Sequence, residues 1–202
     1  LAISDAKDEY EAKTQKGTYL DSAINIYYRA ASIAEILQDL MNLSDLQFTN
    51  NRIELDTIMI NLTAISNSTN ITYKNEIDHI INDLQKVFSF DLKKEMKTVD
   101  TYFLTVIDSV KLKAYQENIS GGGMVESLEE KYIITRLSLE ELSSFLQRKL
   151  RSFVNYNGSD IEKYTLELKK FKSIDELNKQ LSDKFGLILT KGQATVMTVE
   201  ID

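Results

Sequence analysis

Glu162-Lys163-Tyr164-Thr165-Leu166-Glu167-Leu168 and, a few residues on, Ser173-Ile174-Asp175-Glu176-Leu177 are the stretch on which the fold turns. Tyr164, Leu166 and Leu168 alternate with polar residues, as a half-buried strand requires. Ser173 and Glu176 then stand in the Ser-x-x-Glu spacing of a capping box, which satisfies two orphan amides at a helix start. The same order occurs upstream. Glu130-Lys131-Tyr132-Ile133-Ile134-Thr135-Arg136-Leu137 leads into Ser138-Leu139-Glu140-Glu141-Leu142, with Ser138 and Glu141 in the box positions. An internal repeat of two strand–helix units follows, although residues 132–137 also fit a helix continued from Met124.

Each of these helices runs into another candidate strand. Phe153-Val154-Asn155-Tyr156 precedes the turn signal Asn157-Gly158-Ser159-Asp160. Leu187-Ile188-Leu189-Thr190, then Lys191-Gly192, then Ala194-Thr195-Val196-Met197-Thr198-Val199 reads as a terminal hairpin with a two-residue turn. The expectation for residues 124–202 is a small α+β domain, of ferredoxin-like βαββαβ type, ending in that hairpin.

Gly121-Gly122-Gly123 reads as a flexible joint, because glycine loses the most backbone freedom on ordering. No Lys-Ser/Thr pair follows, so it does not fit a phosphate-cradling loop. An engineered splice would leave the same three residues. Upstream, residues 1–120 read as long helices forming an antiparallel bundle or stalk. The chain has no Pro, which favours uninterrupted helices. Leu20, Ala23, Ile24, Tyr27, Ala30, Ala31, Ala34, Leu37 and Met41 recur at three and four residues, predicting a helix over 6–41. Leu55, Ile58, Met59, Leu62 and Ile65 predict a second over 45–65, where Ile53, Leu55 and the run 58–60 would also support a strand. A third is expected over 73–116, with a kink or break around Ser89-Phe90-Asp91.

Composition bounds the chemistry. The 202 residues carry a net charge of −7, which argues against nucleic acid as a partner. There is no Cys, so disulfides, thiolate metal sites and Cys nucleophiles are excluded. His79 is the only histidine and reads as an ordinary helix residue. The carboxylates Asp5, Asp8, Glu9 and Glu11, and the pairs Glu129-Glu130 and Glu140-Glu141, sit among lysines and read as solvated charge. Lys169-Lys170-Phe171-Lys172 is a local basic patch in an acidic chain. No nucleophile elbow, dinucleotide fingerprint or P-loop is present. The expectation is a protein that is not an enzyme and carries no cofactor or metal.

The triplet Asn-x-Ser/Thr occurs six times, at Asn42, Asn61, Asn67, Asn70, Asn118 and Asn157. With 13 Asn in the chain, chance yields roughly two. An Asn-, Ser- and Thr-rich composition also hits the pattern by luck. The excess, paired with the lack of Cys, points to an extracytoplasmic glycoprotein of an archaeal-type cell surface. The chain opens on Leu1 rather than Met, which reads as a removed leader or membrane anchor, or as an excised ectodomain. The resulting expectation is a membrane-anchored protein–protein interaction module of an envelope, pilus or secretion assembly, whose partners are other proteins or further copies of itself. The alternative is an extracytoplasmic sensor whose helical bundle binds a small ligand.

Overall fold

Alternation, rather than helical spacing, governs much of the first half of the chain. The computed structural model describes residues 2–5, 24–66, 73–117, 122–159 and 161–202. In chain order these form β1 (Ala2–Asp5), β2 (Ile24–Ser32), α1 (Ile33–Leu40), β3 (Phe48–Asn50), α2 (Glu54–Thr57), β4 (Met59–Ser66), α3 (Tyr73–Phe88) and β5 (Leu92–Val106). There follow α4 (Ser109–Lys113), β6 (Gln116–Glu117), β7 (Met124–Ser127), β8 (Lys131–Leu137), α5 (Leu139–Leu150), β9 (Phe153–Tyr156) and β10 (Lys163–Lys169). The chain closes with α6 (Ile174–Gln180), a π-helical turn (Leu181–Phe185) and β11 (Leu187–Ile201). The protein is mixed α/β with three sheets, ordered β1-β4-β2, β6-β10-β8-β7 and β3-β11-β5-β9.

The expected N-terminal helical bundle is not what the described residues form. Of the helix expected over 6–41, residues 24–32 are strand and only 33–40 are helical, while 6–23 lie outside the described residues. In β2, Ile26 and Tyr28 are buried and Tyr27 and Arg29 exposed, a period of two. The small residues Ala30, Ala31 and Ala34 let a three-and-four spacing be read across a strand and a helix alike. Over 45–65 the expected helix is instead β3, a single turn α2, and β4. Ile60, Leu62 and Ala64 of β4 are buried and alternate with Met59, Asn61, Thr63 and Ile65. Over 73–116, α3 forms and breaks at Ser89-Phe90-Asp91, but residues beyond the break become β5 and the short α4 and β6.

The ferredoxin-like sheet is also corrected. Strands β8 and β10 pair, but β9 and β11 lie in a different sheet, with β5 and β3. The expected terminal hairpin is one strand, β11. A two-residue hairpin turn needs positive φ in its centre, and neither Lys191 nor Gly192 has it.

Two compact units result: residues 1–97 with 197–202, and residues 98–196. The glycines 122 and 123 fall inside the second. In the first unit, Ile33, Ile36 and Leu37 of α1 and Ile80 and Leu84 of α3 share a core with Ile26 and Tyr28 of β2 and Ile60 and Leu62 of β4. In the second, Leu139, Leu142 and Leu146 of α5 and Leu177 of α6 share one with Ile134 of β8, Leu166 and Leu168 of β10 and Leu104 of β5. Each such buried side chain contributes about 1.5–3 kcal/mol.

The two units repeat one design. Unit 1 runs β2-α1-β3-β4-α3-β5, with α2 inserted; unit 2 runs β8-α5-β9-β10-α6-β11. In unit 1, β2 pairs antiparallel with β4, and the register slips between Tyr28↔Leu62 and Ala31↔Ile60. In unit 2, β8 pairs antiparallel with β10, and the slip falls between Ile134↔Leu166 and Leu137↔Tyr164. Each bulge holds one residue in the left-handed region, Ala30 (φ 46) and Arg136 (φ 55). The partner strand caps each freed amide. Ala30 N–H donates to Asn61 Oδ1 at 2.8 Å, and Arg136 N–H to Thr165 Oγ1 at 3.2 Å. Two residues beyond each bulge a capping box opens the helix, Ser32 with Glu35 and Ser138 with Glu141.

The last strand of each repeat also serves the other unit. Leu92–Val106 begins in unit 1, and its residues 101–104 pair in parallel with β9 of unit 2. Leu187–Ile201 begins in unit 2, and its residues 199–201 pair in parallel with β3 of unit 1. Ile201, near the C-terminus, is thus fully buried in the core of unit 1.

Candidate functional site

Two surface features stand out, one in each unit. The first is the outer face of the β1-β4-β2 sheet. Alternation that buries Ile60, Leu62 and Ala64 turns Met59, Asn61, Thr63 and Ile65 outward, and β2 adds Tyr27 and Arg29. Ile65 is 60% exposed and Tyr27 41%. Strand β2 ends the order of its sheet, so among the described residues one of its edges has no strand beside it. Unpaired backbone groups at such an edge are a template for another chain.

The second feature is a groove in unit 2 of about 370 Å³, lined by Asp100, Thr101, Tyr102, Ser152, Lys191, Gly192 and Gln193. It lies where β9 has just begun to pair with β5. Gln193 Nε2 donates to Asp100 Oδ1 at 3.3 Å, and Lys191 Nζ stands 6.0 Å from the centroid of the Tyr102 ring. Thr101 is buried and its hydroxyl donates to the Val99 carbonyl at 3.3 Å.

The glycosylation candidates separate by position. Asn42 is exposed at the end of α1, in the left-handed conformation (φ 52). Asn157 is exposed just after β9. Asn61 is a strand residue whose amide oxygen caps the β2 bulge, so an Asn there has a structural reason that needs no glycan. Asn67, Asn70 and Asn118 lie outside the described residues. The bulge cap was the signal that triplet counting overlooked at Asn61.

The other singled-out residues do not converge. His79 is exposed on α3. Asp8, Glu9 and Glu11 lie outside the described residues, while Tyr28 is buried and its hydroxyl donates to Asp39 Oδ2 at 2.7 Å. No group of three or more His, Cys, Asp or Glu among the described residues could hold a metal ion. Among the described residues no helix is long and apolar enough to cross a membrane.

Displaced titrations mark surface pairs. Burial raises the Glu141 carboxyl, but the Lys163 ammonium at 2.6 Å and the bonds to Ser138 bring it below the ordinary glutamate range. Glu167 is lowered by Lys131, Glu95 by Lys93 and Lys97, and Glu54 by Arg52. In the basic patch, the Lys170 ammonium lies 5.7 Å from the Tyr132 ring centroid, and Lys149 of α5 lies 5.2 Å from it.

Comparison of the chain with family models, curated proteins and solved structures finds no match.

Proposed function

We propose that the chain is a non-enzymatic module that works outside the cytoplasm by binding another protein through the outer face of its β1-β4-β2 sheet. The observation that carries this reading is the chemistry of that face. Tyr27, Met59 and Ile65 place large apolar side chains in solvent beside the edge of β2 that is open among the described residues. Exposed apolar residues gathered on one face mark interaction sites. An open edge gives an extended partner segment its backbone bonds, and the side chains of the face give selectivity. Arg29 and Thr63 supply a polar rim.

The compartment rests on other grounds. Six glycosylation triplets without a single Cys fit a prokaryotic cell surface. Asn42 and Asn157 stand at exposed turns, where an attached glycan displaces nothing. The reading favours a part in an envelope, pilus or secretion assembly.

The test is the double substitution Tyr27→Ser with Ile65→Lys, expressed at the native cell surface. The expected result is a chain that keeps its folded circular-dichroism spectrum and is lost from its crosslinked envelope complex. A complex that survives both changes intact would refute the assignment of this face.

A further inference from the structure

The two units differ in what lies ahead of their parallel strands. In unit 1, Gln47 precedes β3. Its carbonyl accepts from the Val199 N–H at 2.7 Å, and its side-chain amide donates to the Met197 carbonyl at 3.0 Å. The side chain thus continues the line of β3 along β11. In unit 2, Ser152 precedes β9, and its hydroxyl turns back to the Leu150 carbonyl at 3.4 Å. Phe48 pairs with Val199 as Phe153 pairs with Thr101, so the carbonyl matching that of Met197 is that of Val99. Thr101 of its own strand bonds it at 3.3 Å. Where the glutamine of unit 1 reaches across, unit 2 has the groove.

The groove is equipped on both sides. Lys191 makes no ion pair among the described residues, and its ammonium stands 6.0 Å from the Tyr102 ring centroid. Asp100 uses one carboxylate oxygen for Gln193 and, among the described residues, keeps the other for a further donor. Gly192 keeps β11 against its neighbour, because a Cβ there would come within 2.6 Å of the Phe103 ring. A volume of about 370 Å³ is at the lower end of small-molecule sites, which run to about 1,000 Å³. It suits one amino acid or one sugar ring.

We propose that this groove binds a small organic carboxylate with an N–H or O–H donor close to the acid group. Lys191 takes the carboxylate, Asp100 accepts from the donor, and the Tyr102 ring forms the apolar wall. An amino acid and a sugar acid share this chemistry. The site is independent of the sheet face assigned to a protein partner.

The experiment is a two-dimensional amide NMR titration of the full chain with sodium glutamate, sodium glucuronate, sodium phosphate and sodium chloride. Saturable shifts centred on Thr101, Tyr102, Gly192 and Gln193 are expected from a carboxylate and not from chloride. Saturation by glutamate alone assigns an amino acid; saturation by glucuronate alone assigns a sugar acid. Lys191→Gln is expected to weaken binding about tenfold or more without moving the melting temperature. Asp100→Asn should narrow the difference between a carboxylate with a neighbouring donor and acetate, which has none. The proposal fails if neither carboxylate saturates, if phosphate and chloride give the same shifts, or if Lys191→Gln binds as the parent does.

Discussion

Replacing Ile201 by Ala asks whether the last residues of the chain hold up a core built mainly from its first half. Ile201 is fully buried and shares the core of unit 1 with Leu37, Leu62 and Leu84. The substitution removes three carbons, worth about 2.4 kcal/mol at about 0.8 kcal/mol each. The cavity left behind adds to that, so the expected loss is about 3 kcal/mol, within the usual 2–5 for such a change. Native-state hydrogen exchange then gives the location. A loss of that size raises exchange through opening of unit 1 about a hundredfold, and it should appear in α1, α3 and β4. The companion substitution Leu104→Ala, at the end of β5, should act instead on α5, β8 and β10, because Leu104 belongs to the core of unit 2. If Ile201→Ala releases α5 and β10 while α1 and β4 keep their protection, the shared strands are wrong. A destabilisation below about 1 kcal/mol would say the same.

Other expectations are as concrete. If the proposed compartment is right, glycopeptide mapping of the chain purified from its native cells should find glycan on Asn42 and Asn157 and none on Asn61, whose amide oxygen is engaged by the Ala30 N–H; an occupied Asn61 would contradict both the bulge and the sheet face. In an NMR titration the Glu141 carboxyl should titrate below the ordinary glutamate range, and Lys163→Met should move its midpoint upward. Since the folded value lies below the unfolded one, the stability this group supplies is present above the unfolded value and lost as pH falls through the folded one. With Glu141 about half exposed, that contribution is small.

The second half of the chain was more legible than the first, for a physical reason. Around Tyr132 and Tyr164 the strand residues are bulky, and the helix starts carry a capping box at Ser138 and a side-chain cap at Ser173, so local chemistry and tertiary fold agree. The same box stands at Ser32 and Glu35. It is obscured there because alanines on both sides satisfy helical spacing as readily as alternation. Recognising it would have broken the supposed 6–41 helix at Ser32 and exposed the larger repeat, with Ala30 matching Arg136. The two long strands were illegible for a different cause. Residues 92–106 and 187–201 carry polar or exposed side chains through their middles, and their partners are distant in sequence. Strand character set by pairing rather than by hydrophobic pattern leaves little local trace. Of the two surface features, the sheet face was legible only as Tyr27 in the expected helical stripe. The groove was not, since Asp100, Ser152 and Lys191 meet only through the pairing of those strands.

The sheet face of unit 1 can be tested most directly with a photo-crosslinking residue placed at Ile65 in one sample and at Ile161 in another. Ile161 is 85% exposed, more than the 60% of Ile65, so exposure alone would favour labelling at 161. Irradiation of the native cells should give a discrete protein adduct from position 65 and none from position 161. Adducts from 161 alone, or equal and diffuse labelling from both, would contradict the account.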